Sequence, residues 1–259
     1  MTDMSFLKIA DFKIKYEKKD IINSPLFSSY LYKTNKPDFK VVTTDVEIEK
    51  DYSAYDINIS KYRTAINLLH RKIAEMLPLH NAFVLHSAVF DVDGTGIALA
   101  AHSGTGKTTH MLLWQKLLGD RLKIVNGDKP IVRFFDEEPH IPYAYGTPWN
   151  GKERLGCNMR TPLKHLCFIE RAEKNSCEKM GKQEAVNLIF NQVYMPKDSA
   201  AAVETMKLIN RLISSCRLWK IKCNMDIEAA ETAYNKIFET TGRREAVLSP
   251  AGKSFENGE

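Results

Sequence analysis

Long apolar runs are missing from this sequence. Nowhere do about 18 apolar residues stand together, which excludes a membrane-spanning helix from the reading. The first residues lack a charged start followed by an apolar stretch, so no secretory leader is expected and the cytoplasm is the expected compartment. Cysteine is scarce: five residues, odd in number and without a C-x-x-C pair, argue against a disulfide framework or a zinc site and read as reduced thiols. A basic block is missing too. The net charge of +5 comes from scattered lysines and arginines, a balance that suits phosphate ligands and does not make nucleic acid a leading partner. Internal repeats and low-complexity stretches are also absent.

What is present, 259 residues with 44% hydrophobic and 27% charged, is enough to bury a substantial core. The pattern divides the chain into a β-rich lead-in with a bridging helix (1–80), an α/β nucleotide-binding part (81–240) and a polar tail (241–259). From about residue 4 to 51, short apolar groups alternate with turn residues, which predicts several short strands. Ala65, Leu68, Leu69, Ile73 and Met76 then recur at helical spacing until Pro78 closes the segment. Residues 82–90 read as one strand, 93–96 as a turn, 97–101 as a second strand and 110–118 as a helix stopped by Gly119. Strands at 122–125, 131–135, 166–169 and 218–221 extend the predicted sheet. Helices are expected at 183–194, 200–214 and 227–238, with a shaped loop over 143–156.

Between the second strand and its helix lies Ala101-His102-Ser103-Gly104-Thr105-Gly106-Lys107-Thr108-Thr109, which fits the Walker A spacing G-x-x-x-x-G-K-[ST] with alanine at the first glycine position. The residue types have a physical basis. Gly104 and Gly106 permit positive φ and leave room for phosphates, so that successive backbone N–H groups point inward beside the positive end of the following helix. Lys107 adds a charge able to follow the β- and γ-phosphates, and Thr108 a hydroxyl able to ligate magnesium. Ser103, Gly104, Thr105, Gly106, Lys107, Thr108 and Thr109 are thus the expected contacts of ATP, or a related triphosphate, and its Mg2+. Phosphate binding alone does not specify a reaction.

Downstream, Ile124-Val-Asn-Gly-Asp128 places a carboxylate just past an apolar strand. Asp128 there would hold magnesium directly or through water, or it belongs to an ordinary Asn-Gly-Asp turn. Lys129 is either a phosphate neutraliser or a surface lysine. His86, within an apolar strand, reads as a hydrogen-bonded core histidine or, beside a phosphate loop, as a catalytic one. Lys152, in Tyr145-Gly-Thr-Pro-Trp-Asn-Gly-Lys152, is available to an anionic group or sits in a plain connector. Arg160 and Arg171 offer planar forks to a transferring phosphoryl group, or serve as surface ion-pair partners.

With these residues in hand, the chain resembles the HPr kinase and phosphoenolpyruvate carboxykinase superfamily from about residue 82 to 238. Ser103-Gly-Thr-Gly-Lys-Thr-Thr109 is similar to the carboxykinase form of the loop, and Leu85-His-Ser-Ala88 to the histidine-bearing strand of HPr kinases. Asn126-Gly-Asp-Lys-Pro130, Tyr145-Gly-Thr-Pro-Trp149, Phe168-Ile-Glu-Arg171 and Cys223-Asn-Met225 together resemble a bacterial group of small HPr-kinase-like proteins, some of whose relatives accompany peptide-modifying gene cassettes. The resemblance implies an α/β fold, a mixed β-sheet core with flanking helices, joined to the small β-rich N-terminal part. It also implies a cytoplasmic kinase that uses ATP and Mg2+ to phosphorylate a hydroxyl of a peptide, a protein serine or a small molecule. Thr108 and Asp128 would hold the metal, Lys107 the phosphate, and Asp128 or His86 would assist deprotonation of the acceptor.

The sequence departs from HPr kinases at Gly127, where they carry a first of two aspartates, and at Thr109, where they carry an acidic residue. Their glycine-rich signature for phosphate release finds no match, and the chain is much shorter than a carboxykinase. Two alternatives stay open: a non-catalytic ATP-binding sensor or assembly module of a peptide-modifying system, and a carboxykinase-like or hydrolytic enzyme.

Overall fold

Two sheets organise residues 6–54 and 59–239, the residues described in the computed structural model of this protein. The smaller sheet is N-terminal. Strands β1 (Phe6–Ile9) and β2 (Phe12–Tyr16) form a hairpin that buries Leu7, Ile9, Phe12, Ile14 and Tyr16 on one face and leaves the intervening lysines half-exposed. After the short helix α1 (Lys19–Ile22), β3 (Leu31–Tyr32) and β4 (Phe39–Val41) complete the order β3-β1-β2-β4. The expectation of several short strands over 4–51 needs correction: besides α1 and a 3-10 segment at Pro25–Tyr30, its last part is helical. Residues Asp45–Ala54 form a helix, α2, because Thr44 and Glu47 cap its start reciprocally: Glu47 Oε2 accepts from Thr44 N (2.8 Å) and Thr44 Oγ1 from Glu47 N (3.2 Å).

Helix α3 (Lys61–Met76) begins where Ser60 Oγ accepts from Arg63 N (3.2 Å), and Pro78 falls in the 3-10 turn Leu77–His80 that follows it. Its buried face, including Ala65, Ile66, Leu69 and Ile73, packs into one apolar cluster with the N-terminal strands. Val84, Ile131, Tyr145 and Trp149 belong to the same cluster, so the small sheet and the larger one share a core.

The larger sheet starts with β5 (Ala82–Val84), β6 (Ser87–Val92) and β7 (Thr95–Ala100), which leads to helix α4 (Lys107–Leu118). Strands β8 (Leu122–Asn126), β9 (Ile131–Arg133), β10 (Tyr143–Tyr145), β11 (Arg160–Arg171) and β12 (Ser176–Lys179) follow. Helices α5 (Lys182–Phe190) and α6 (Ser199–Ser215), strand β13 (Arg217–Cys223) and helix α7 (Ile227–Glu239) complete the described chain. Strands β7, β11 and β13 run parallel in the middle, while β6 pairs antiparallel with β7, β8 with β6, and β12 with β13. Strands β5, β9 and β10 form an antiparallel run onto the start of β11.

Period-two alternation explains why β7 is apolar without interruption from Gly96 to Ala100. Along β7, Ile97 and Leu99 face a cluster with Met111 and Trp114 of α4 and Ala233 and Ile237 of α7; Ala98 and Ala100 face Ile189 of α5 and Leu208 and Leu212 of α6. Both faces are covered by helices, and each fully buried large side chain contributes roughly 1.5–3 kcal/mol.

The structure revises several predicted boundaries. Residues 82–90 are two strands broken at Leu85 and His86, the segment 166–169 is only the later part of a twelve-residue strand, and 143–156 contains β10. The 183–194 helix ends at Phe190. Strand β12 escapes the pattern because it pairs only with β13 and buries Cys177 alone, leaving no alternation to read. Among the described residues no helix is long and apolar enough to cross a membrane. The expected polar tail lies outside the described residues.

Candidate functional site

The glycine loop turns between the end of β7 and the start of α4. Gly104 (φ 81°) and Gly106 (φ 117°) occupy backbone conformations that side chains rarely adopt, and nothing lies within 4 Å of where a Cβ would stand at either. Lys107 is the first residue of α4 and is buried against the loop, with Nζ donating to Ala101 O (2.9 Å). Burial lowers its pKa, and the nearby Asp128 carboxylate works in the other direction. His102 is exposed beside the loop.

Parallel pairing of β11 with β7, Phe168 opposite Ala100, delivers the C-terminal end of β11 to this loop. Arg171 there donates from Nε to Thr105 O (3.1 Å) and from Nη2 to Gly104 O, holding the loop by its carbonyls. Arg160 begins the same strand. At about 3.3 Å per residue that puts it roughly 35 Å from Arg171, at the N-terminal sheet, where it donates to Tyr145 Oη (3.1 Å) and pairs with Asp11 (3.6 Å). Arg160 is therefore removed from the candidate site: strand direction places it at the wrong end of the sheet.

His86 lies at the break between β5 and β6 instead of inside a strand. Three backbone bonds define the break: Leu85 N to Pro130 O (3.0 Å), His86 N to Gln192 O (2.6 Å) and Ser87 N to Asp128 O (3.0 Å). Gln192 is buried, and in the amide orientation that satisfies its donors it reaches His86 O (3.2 Å) and Ala101 O (2.9 Å), tying the break to the glycine loop. The half-exposed His86 ring then sets Nε2 3.2 Å from Asp128 Oδ1, while Lys129 Nζ bonds Asp128 Oδ2. Burial raises the pKa of Asp128, but the bonds from His86 and Lys129 outweigh it and bring it to about 2. The group is a carboxylate at any ordinary pH.

Asn126, fully buried, fixes the turn that carries Asp128. Its Oδ1 accepts from Asp128 N (2.9 Å) and Lys129 N (2.8 Å), and its Nδ2 donates to Thr147 O (3.2 Å) and Thr147 Oγ1 (3.0 Å). Thr147 Oγ1 in turn donates to Lys129 O (2.7 Å) and accepts from Trp149 N (3.2 Å). The segments 126–130 and 145–149 are thus one hydrogen-bonded unit. Gly127 is enclosed by it: a Cβ there would meet Asn150 O at 2.9 Å and Leu155 O at 3.3 Å, and Gly127 N already donates to Leu155 O (2.9 Å). No second aspartate fits at this position unless residues 150–155 move.

The glycine loop, His86, Asp128, Lys129, Lys152 and Arg171 line a single cleft of ≈ 1130 Å³, together with Cys223, Asn224 and Met225. Ser103, Thr105, Thr108 and Thr109 are on its wall. A second cleft of ≈ 900 Å³ shares Asp128, Lys129, Gly151 and Lys152 with the first and extends to α3. Among the described residues no group of three or more His, Cys, Asp or Glu could hold a metal. The Thr108 hydroxyl and Asp128 carboxylate in one cleft nevertheless fit Mg2+, a hard cation that takes one or two protein oxygens and completes its shell with phosphates and water.

Asn126, Thr147, Gln192 and the α3 wall are absent from the sequence-based site. Asn126 and Thr147 stand in the sequence as ordinary turn and loop formers, and only the fold pairs them.

No family model matches the chain, and no curated protein matches it. Among solved structures it is similar to the Hpr(Ser) kinase/phosphatase from Coxiella burnetii, at 9% identity and a TM-score of 0.33, over 61% of this chain and 99% of that one. At that score the likeness decides nothing about chemistry, which rests on the cleft itself.

Proposed function

We propose that the protein is an ATP- and Mg2+-dependent phosphotransferase that moves the γ-phosphate to a hydroxyl. The observation that carries this reading is the placement of Asp128, with its His86 and Lys129 partners, in the same cleft as Lys107 and Thr108. Loop N–H groups and Lys107 would neutralise the phosphates, Thr108 and Asp128 would hold the metal, and Arg171 would keep the loop in shape.

A carboxylate with a pKa of about 2 is a weak base toward a free alcohol. In a loose phosphoryl-transfer transition state the hydroxyl proton leaves late, once its oxygen has bonded to phosphorus and become strongly acidic, so such a carboxylate can still receive it. His86, 3.2 Å away, orients Asp128 for that step.

Gly127 favours a second reading, a nucleotide-binding module without turnover, because a single carboxylate must serve metal and proton together and the closed turn admits no other. ADP formation in the presence of Mg·ATP and a panel of alcohols separates the two. The transferase reading expects ADP release that falls on the order of 10³-fold in Lys107→Ala. Tight, magnesium-dependent ATP binding with no ADP across the panel selects the binding module.

A further inference from the structure

The second cleft lies between α3 and residues 148–154, and its ≈ 900 Å³ is in the range of small-molecule sites. Charge is the first indication of its ligand. Arg63, Arg71, Lys129, Lys152 and Arg154 line it against the single carboxylate of Asp128 among the described residues. Arg71 is engaged by Asp51 and Lys129 by Asp128, whereas Arg63, Lys152 and Arg154 pair with no described acidic residue. By contrast the glycine-loop cleft has Glu153 and Glu173 on its wall as well as Asp128.

His70 is the second indication. It lines the cleft from α3 and is only 8% exposed, yet its Nε2 has no hydrogen-bond partner. Its ring lies on Trp149 (centroids 4.7 Å apart), and Trp149 Nε1 donates to Ile66 O (3.3 Å), so α3 and the 148–154 segment hold each other in place. The ring nitrogen thus stands without a protein partner in the wall beside the cleft.

We infer that this cleft receives the phosphate acceptor, and that the acceptor is a small alcohol carrying its own anionic group, a carboxylate or a phosphate. The inference rests on the phosphotransferase reading. The hydroxyl sits at Asp128, where the two clefts meet, and the anionic group lies against Arg63, Lys152 and Arg154. In the transfer the acceptor oxygen bonds to the γ-phosphorus while the bond from that phosphorus to the β,γ-bridging oxygen breaks. ADP leaves with that electron pair, and the hydroxyl proton passes to Asp128 and then to water.

The test compares glycerate, glycerol 3-phosphate and uncharged glycerol in two measurements, ligand-observed NMR binding without nucleotide and ADP release with Mg·ATP. Three proteins are used: wild type, Lys107→Ala, and the double variant Arg63→Ser with Arg154→Asn. Both arginines are exposed, and asparagine is chosen at 154 because φ there is 52°. At least one anion binds, glycerol does not, binding weakens about tenfold or more in the arginine variant, and Lys107→Ala keeps it. In turnover the acceptor KM rises in the arginine variant with little change in kcat or in the KM for ATP. The tighter anion identifies the carboxylate or phosphate class. Absence of anion binding, equal binding in wild type and arginine variant, or loss in Lys107→Ala alone overturns the inference whatever ATP turnover shows. Arginine-dependent anion binding with no ADP from any compound keeps the anionic cleft and removes the phosphotransferase reading instead.

Discussion

The two sides of Asp128 are built differently. On the glycine-loop side one unbroken stretch, residues 103–110, forms the longest piece of the wall and carries Gly104 and Gly106. On the α3 side the wall is assembled from side chains of α3, of the 128–129 turn and of the 148–154 segment, which meet only through tertiary packing. A backbone cradle is suited to phosphates, which every triphosphate shares. A wall of side chains is suited to choosing among acceptors, because each can be changed without rebuilding the loop. Asn126 and Thr147 hold both sides in register by fixing the turn they share.

The sharpest way to break the comparison is therefore Asn126→Ala. It leaves Asp128 N without its acceptor and Lys129 N with Trp149 O alone (3.1 Å), a loss of about 1–3 kcal/mol for the orphaned group when it stays buried. It should lower the unfolding midpoint and reduce transfer on the order of 100-fold, with the KM for both substrates raised. An effect confined to one substrate would show that the two clefts are independent.

Gly127→Asp tests the enclosed turn. Because the new Cβ would lie 2.9 Å from Asn150 O, the substitution should cost about 1–3 kcal/mol in urea unfolding, and transfer should fall instead of rising. A variant as stable as wild type and faster would mean that the 150–155 segment yields easily.

Arg171→Ala should act on the loop side alone, raising the KM for ATP about tenfold with the acceptor KM unchanged, since Arg171 holds only loop carbonyls. Equal changes in both would contradict that assignment.

The smallest effect concerns pH, with one histidine on each side of the comparison. Burial pulls His70 down to about 3 and His110 to about 4, and His110 Nε2 accepts from Trp114 Nε1 (3.2 Å), a bond that requires the neutral ring. Below pH 6.5 the unfolded chain binds protons that the folded chain refuses. The stability tied to these rings is thus fully present above that pH and declines as pH falls toward 3–4. His110→Gln should flatten the dependence of unfolding free energy on pH by about 1 kcal/mol per unit between pH 6 and 5. An unchanged slope would mean that His110 titrates normally.

The same contrast explains what could be read from the sequence. The loop and its helix were legible because glycine, lysine and threonine stand at fixed short spacings, and Asp128 because it follows an apolar strand. Arg160 misled because residues 166–169 show the apolar run but not that β11 starts at Arg160 and runs toward the loop. His86 reads from the sequence as part of a strand, since nothing local signals that Gln192 and Asp128 divide the backbone there. The α3 wall is illegible for a simpler reason: Arg63 and His70 look like any solvated and any core residue of an amphipathic helix until the fold lines one cleft with both and sets His70 against Trp149. The helix at 45–54 depended on reciprocal capping, which hydrophobic periodicity does not report.

The central claim is that Asp128 lies on the path from the nucleotide to the acceptor. ³¹P NMR of wild type and Asp128→Asn, each with Mg·ATP and an acceptor that supports ADP release, tests it most directly. Asparagine keeps the size of the side chain while removing the charge that would hold metal and take the proton in the proposed reaction. The account predicts ADP and a new phosphoester signal with wild type, and neither above background with Asp128→Asn at unchanged folding. A phosphoester formed by Asp128→Asn at the wild-type rate would contradict it.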